Sequence, residues 1–233
     1  MNRLIAVSIG DINGIGLEIY IKLLIKREIK NAVLFTDYKY IKKYLIKNKY
    51  KIKINDIKGS TNNYKNNINF LNIFSFKSNS NEENTLKSIK FSHEQCILKN
   101  YIGLITLPLR KDLIIKKALS NFVGHTEFLQ DMENKKYTNM ILYNKKIIIS
   151  PLTTHIKINS VSRMISKKNF IYEKIKILND SLFLDFGLKK PKIIVSGLNP
   201  HAGENGNIGN EDEKIIKPAI HKLKKNNIHV KGP

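Results

Sequence analysis

The chain has 233 residues, enough for one large or two small α/β domains with a real core. It carries 41 Lys+Arg against 19 Asp+Glu, a net charge of +22, but the lysines are spread through nearly every segment among isoleucine and asparagine. That spread, which A+T-rich coding sequence would produce, argues against a nucleic-acid surface, which would gather them into a patch or stripe. The single cysteine, Cys96, excludes an intramolecular disulfide and fits a reducing compartment, and no apolar run approaches the roughly 18 residues of a membrane span. A cytoplasmic protein without membrane or nucleic-acid partners is expected.

In chain order, Leu4–Ile9 reads as a first buried strand, too short for a signal peptide. The loop Gly10-Asp-Ile-Asn-Gly-Ile-Gly16 follows. Leu17, Tyr20, Ile21 and Leu24, at i, i+3, i+4 and i+7, place a helix over 17–30. Residues 32–36 are a strand and 39–48 a helix. Residues 51–54 and 70–76 are strands separated by an asparagine-rich loop. A loop over 77–84 leads to a helix over 85–99, where Cys96 shares the apolar face with Leu86, Ile89 and Ile97 as a packed thiol. Residues 102–106 are a buried strand. Alternation of this kind predicts βαβ units on a mostly parallel sheet.

The middle of the chain changes character. Residues 140–143 and 147–150, joined by Asn144-Lys145-Lys146, predict an antiparallel hairpin. A helix over 167–186 should stop at Gly187, with Pro191 beyond it. Residues 192–197 form a strand, 210–226 a helix containing Pro218, and 228–230 a last strand. Two domains are expected, 1–130 and 131–233.

The stretch from Ser196 to Asp212 packs four glycines (Gly197, Gly203, Gly206, Gly209) and His201 between a strand and a helix. Glycine permits left-handed backbone and close approach, so this is the layout of a ligand loop at the carboxyl end of a strand. Asn210 and Glu213 suit a capping box for the helix. His125 and Thr126, in Gly124-His-Thr-Glu-Phe128, stand at a helix start whose free N–H groups suit a phosphorylated or carboxylated substrate. His155, in Thr153-Thr-His155, follows a strand and is a candidate metal ligand. His93, His221 and His229 are accounted for by packing or surface roles. On the residues alone, His125, His155 and His201 also admit a plainer reading as cap or solvated loop residues.

Taken together and in order, these motifs resemble the 4-hydroxythreonine-4-phosphate dehydrogenase family of pyridoxal phosphate biosynthesis. Gly10, Asp11, Gly14, Ile15, Gly16 and Glu18 match its opening motif, while Ser8, Ile9, Ile12, Asn13 and Leu17 depart from it, with three prolines lost. Thr106, Pro108 and Lys111 keep a second motif in which Arg110 replaces Asn. Gly124–Phe128, Thr153–His155 and Asn199-Pro-His-Ala-Gly-Glu204 are similar to the substrate and metal motifs. The resemblance implies two α/β/α domains of the isocitrate/isopropylmalate dehydrogenase-like fold, with the active site in the interdomain cleft at a homodimer interface. It implies His155 and His201 as ligands of a divalent cation (Zn²⁺, Mg²⁺ or Co²⁺), His125 and Thr126 as substrate contacts, and NAD or NADP as oxidant. The implied reaction oxidises 4-phosphohydroxy-L-threonine to 2-amino-3-oxo-4-(phosphooxy)butanoate, which then decarboxylates. It assigns no general base. The family continues beyond the position of Pro233 with a third metal histidine and much of the cofactor site. The alternative readings are therefore an inactive or fragmentary relative lacking those elements, and a basic nucleic-acid-binding protein.

Overall fold

The computed structural model describes residues 4–67 and 69–233. Ile68, inside the asparagine-rich loop, lies outside them. The chain divides into two compact units, Met1–Met132 and Glu133–Pro233.

The first unit is built on β1 (Ile5–Ser8), α1 (Ile15–Ile25), β2 (Ala32–Thr36), α2 (Tyr38–Lys47), β3 (Lys53–Asp56), β4 (Phe70–Ser75), α3 (Asn81–Ile97), β5 (Leu104–Thr106), α4 (Lys111–Lys117) and α5 (His125–Met132). All four strand pairings are parallel, in the order β3-β4-β2-β1-β5. Strand alternation sorts the side chains into two layers. Val7, Ile9, Leu34, Leu71 and Ile73 pack against Leu17, Tyr20 and Ile21 of α1 and Ile41 and Leu45 of α2. Leu4, Ala6, Val33 and Phe35 form the other layer with Ile57 and Tyr101, bordered by Phe91 and Cys96 of α3. Phe35, fully buried, stacks on Phe74 at 4.6 Å and meets Tyr101 edge-on at 5.3 Å. This is a three-layer α/β/α arrangement, as the alternation of strands and helices predicted. Burial pushes the half-buried Cys96 thiol up, which disfavours the thiolate and fits a packing role.

Four details differ from the sequence reading. The strand over 102–106 is an edge strand paired with β1, not a buried one, and Ile102 and Ile105 are exposed. β3 lies two residues later than expected. The third helix begins at Asn81, because Ser80 caps it by accepting from the Glu83 amide at 3.1 Å. The first helix stops at Ile25 rather than residue 30. Its end is a Schellman motif, with Glu28 N–H donating to Leu23 O at 3.0 Å and Arg27 N–H to Leu24 O at 3.1 Å. The left-handed position is held by Arg27 (φ 62), not glycine. The same bond pair closes α2 at Lys49 (φ 57) and α3 at Lys99 (φ 60). A side chain in this region costs about 1–2 kcal/mol. Lys49→Gly and Lys99→Gly are each expected to raise the melting temperature by about 2–4 °C, corresponding to about 1 kcal/mol, as read by thermal denaturation.

The second unit contains β6 (Leu142–Tyr143), β7 (Ile148–Ile149), α6 (Val161–Ile165), α7 (Phe170–Leu184), β8 (Ile193–Ile194), α8 (Lys217–Lys225) and β9 (Val230–Lys231). β6 and β7 form the expected hairpin, its turn closed by Asn144 Oδ1 accepting from the Lys146 and Ile147 amides. β8 and β9 pair in parallel. Ile165, Phe170, Ile171, Ile175, Ile193, Val195, Ile216, Ile220, Leu223 and Val230 make this unit's core. Gly187 adopts φ 69 just past α7, the expected helix stop.

The helix expected over 210–226 enters differently. Residues Asp212–Ile216 are a π turn that becomes α8 at Lys217, next to Pro218. Proline lacks an N–H and its ring crowds the carbonyl four residues back, so the turn before it widens. The Asn210–Glu213 capping box is not formed; Glu213 pairs instead with Lys217.

Candidate active site

The sheet order changes direction at β1: β2 lies on one side of it and β5 on the other. Loops leaving the carboxyl ends of strands at such a switch point are where open α/β sheets bind ligands. Here those loops are Gly10–Gly14 and Leu107–Arg110, the first two motifs of the sequence, and they are joined. Asp11 N–H donates to Pro108 O at 2.9 Å, and Leu107 N–H to Ser8 O at 3.2 Å. A Cβ at Gly10 (φ +62) would lie 2.3 Å from the Pro108 oxygen, and one at Gly16 would lie 2.7 Å from Pro108 Cδ. From the other side Thr85 Oγ1 donates to Gly10 O at 2.6 Å. The Ile12-Asn13 part of the loop, which departs from the resembled motif, is shaped by an Asx turn in which Asp11 Oδ1 accepts from Asn13 N–H at 3.0 Å and Asp11 O from Gly14 N–H at 2.9 Å. Arg110, where the resembled motif has Asn, spends its guanidinium on Asp112, with Nη2 to Oδ2 at 2.6 Å and Nε to Oδ1 at 3.3 Å.

His125 opens α5, with Phe128 N–H donating to Gly124 O at 3.0 Å. Among the described residues its Nε2 is buried with no hydrogen-bond partner, and burial pushes the imidazole pKa down, which favours the neutral ring. Thr126 is exposed on the same first turn. A buried, unsatisfied ring nitrogen costs about 1–3 kcal/mol until an incoming group pairs with it.

His155 and His201 both belong to the second unit, both are exposed, and both adopt left-handed backbone (φ 55 and 49). His201 begins a run of five such residues: His201 (φ 49), Ala202 (φ 49), Gly203 (φ 84), Glu204 (φ 44) and Asn205 (φ 57). Four of them carry side chains, at about 1–2 kcal/mol each. Such strain persists where surrounding structure over-determines it, and it gathers at functional sites. Among the described residues, no group of three or more His, Cys, Asp or Glu side chains converges to hold a metal.

What over-determines the loop is a residue the sequence reading did not single out. Asp212 is fully buried, and its Oδ1 accepts from Leu198 N–H at 2.8 Å. Its Oδ2 accepts from Asn199 N–H at 3.0 Å and Asn199 Nδ2 at 3.1 Å. Glu211 takes the other Asn199 proton at 2.9 Å and the Ser162 hydroxyl at 2.8 Å. Hydrogen bonds from Asn199 and then Ser162 hold its carboxyl below the usual carboxylate range. Gly203 is obligatory where it meets Gly209, since a Cβ on Gly203 would lie 2.3 Å from Gly209 O. The readable signal was the acidic pair placed directly behind a four-glycine loop.

Comparison with known proteins decides the lineage. The family model described as pyridoxal phosphate biosynthetic protein PdxA matches residues 28–233. The chain belongs to the PdxA family. A 4-hydroxythreonine-4-phosphate dehydrogenase from Sulfurihydrogenibium sp. (strain YO3AOP1) is 32% identical over 237 residues, covering 98% of this chain and 73% of the relative. One from Neisseria meningitidis serogroup B is 38% identical over 133 residues, covering 56% of this chain and 40% of the relative. Among solved structures, the 4-hydroxythreonine-4-phosphate dehydrogenase of Klebsiella pneumoniae superposes with TM-score 0.87 at 24% identity, covering 99% of this chain and 74% of that one. That of Burkholderia phymatum gives TM-score 0.82 at 24% identity, covering 100% and 74%. These likenesses carry the fold. This chain therefore spans about three quarters of the length of its full-coverage PdxA relatives.

Proposed function

We propose that this chain catalyses the NAD(P)- and divalent-metal-dependent oxidation of 4-phosphohydroxy-L-threonine. The product, 2-amino-3-oxo-4-(phosphooxy)butanoate, loses CO₂ to give 3-amino-2-oxopropyl phosphate on the way to pyridoxal 5'-phosphate. The observation that carries this reading is the His201 loop, a strained left-handed turn clamped from beneath by a buried carboxylate inside a PdxA-family chain. In this reading His155 and His201 hold the cation. Exposed imidazoles on loops fit Zn²⁺ or Co²⁺ by donor type, and two protein nitrogens leave positions for substrate oxygens and further ligands.

A cation held by His155 and His201 would supply Lewis-acid polarisation of a substrate oxygen, and a nicotinamide cofactor would supply the hydride acceptor. The remaining work falls to the chain's own side chains. His125 Nε2, buried and without a partner among the described residues, is assigned to a substrate oxygen, and the Thr126 hydroxyl and the first-turn amides of α5 to an anionic group of the substrate. A homodimer belongs to the same reading. It is supported by the hairpin, which leaves Leu142 (49%), Tyr143 (63%) and Ile149 (49%) exposed. No helix among the described residues is long and apolar enough to cross a membrane.

The test is turnover. Dialysed protein given 4-phosphohydroxy-L-threonine and NAD⁺ or NADP⁺ should form reduced cofactor only after a divalent cation is restored. Substrate binding without any reduced cofactor, across Zn²⁺, Mg²⁺ and Co²⁺, would contradict the reading in favour of a relative that binds without turning over.

A further inference from the structure

We infer that Asp212 is the positioning residue of the metal loop: its buried carboxylate holds Leu198 and Asn199 so that His201 is presented in left-handed backbone. The inference rests on the reading of His201 as a metal ligand. It is independent of any role for Asp212 as a ligand itself, because both of its oxygens are already committed to the loop.

The argument starts from what the five-residue left-handed run lacks. Its own bonds are few: Ala202 N–H to Asn199 O at 3.1 Å, Asn207 N–H to Glu204 O at 3.2 Å, and Ile208 N–H to Gly203 O at 3.1 Å. Those close the turn but do not tie it to the rest of the unit. The ties are the three bonds from Leu198 and Asn199 to Asp212, and the relay from Asn199 through Glu211 to Ser162, just inside α6. Asp212 is rigid in turn because it opens the π turn leading to Ile216 and Ile220, both core residues. Packing fixes Gly197 as well, where a Cβ would stand 3.2 Å from Asp212 Oδ1. A carboxylate is the group this geometry demands. It accepts three N–H bonds through two oxygens, whereas an amide of the same shape presents an NH₂ to at least one donor and leaves it unpaired.

The experiment compares Asp212→Asn, Glu211→Ala and His201→Ala with the native chain. Co²⁺ affinity is measured by competition with a chromophoric chelator, and backbone amide hydrogen exchange is read over residues 197–205. Asp212→Asn is expected to weaken Co²⁺ binding about 10–100-fold, the range for residues that orient a metal ligand, and to speed exchange at Leu198 and Asn199. Glu211→Ala removes only the relay to Ser162 and should weaken binding a few-fold with the fold intact, so the proposal stays testable if Asp212→Asn fails to fold. Loss of Co²⁺ in His201→Ala with native affinity and native exchange in both carboxylate variants would overturn the positioning role while leaving the ligand reading in place. Unchanged Co²⁺ affinity in His201→Ala would overturn the ligand reading; accelerated exchange in Asp212→Asn would then still support the anchoring of the loop, and native exchange would overturn that too.

Discussion

His201→Ala should lower the divalent-cation affinity of the chain by more than about 100-fold, since losing a ligand exceeds the 10–100-fold cost of disturbing a residue behind one. The reason is local. His201 is exposed and makes no core contact, so its removal leaves the cores of both units intact. Loss of metal with an unchanged melting curve is therefore the expected pair of results, read by elemental analysis after equilibrium dialysis and by circular dichroism. Turnover should fall with metal content. Retention of stoichiometric metal would remove His201 from the ligand set.

Gly10→Ala is the second large effect, and it tests how the first two motifs meet. Gly10 lies at φ +62, and its added methyl would stand 2.3 Å from the Pro108 carbonyl oxygen and 2.7 Å from that of Leu107. Both obstacles are backbone, so nothing yields cheaply. The left-handed penalty of about 1–2 kcal/mol and an overpacking cost of about 1–3 kcal/mol predict a loss of about 2–5 kcal/mol in urea unfolding. Gly59→Ala is the control: Gly59 has φ +77, and its nearest neighbour, at 3.9 Å, is ordinary contact. It should show the left-handed penalty alone. Displacing the β1 loop also moves the β5 loop, and misplacement on the order of 1 Å can cost about 100-fold in rate. Equal losses in the two variants would mean that the two loops are not held against each other as described.

Most of the first unit could be read from the sequence, because β1 and β2 are largely apolar, buried runs and α1 buries Leu17, Tyr20 and Ile21 on one face. The helix ends could not. Sequence rules look for glycine at the left-handed stop, whereas this chain places Arg27, Lys49 and Lys99 there. Ser80 reads as part of a polar loop although it caps α3, since serine, asparagine and glutamate clusters suit both. The 102–106 strand reads as buried because isoleucine does not reveal that β5 is an edge.

At the site, the histidines and glycine loops stood out as residue types, and the meeting of Gly10 with Pro108 follows from β1 and β5 being neighbours. The part played by Asp212 showed only as an acidic pair behind the glycine loop, with nothing to say which way its carboxylate faces. Periodicity treats an acidic residue at a helix start as a cap, and only the π turn before Pro218 shows that its carboxylate faces back into the loop.

The most direct test is X-ray absorption at the cobalt or zinc edge of the metal-loaded protein. Two imidazole nitrogens at about 2.0–2.1 Å are predicted, falling to one in each of His155→Ala and His201→Ala when the variants are held at a cation excess that offsets their weaker binding. A metal shell without imidazole, or one unchanged by either substitution, would contradict the account.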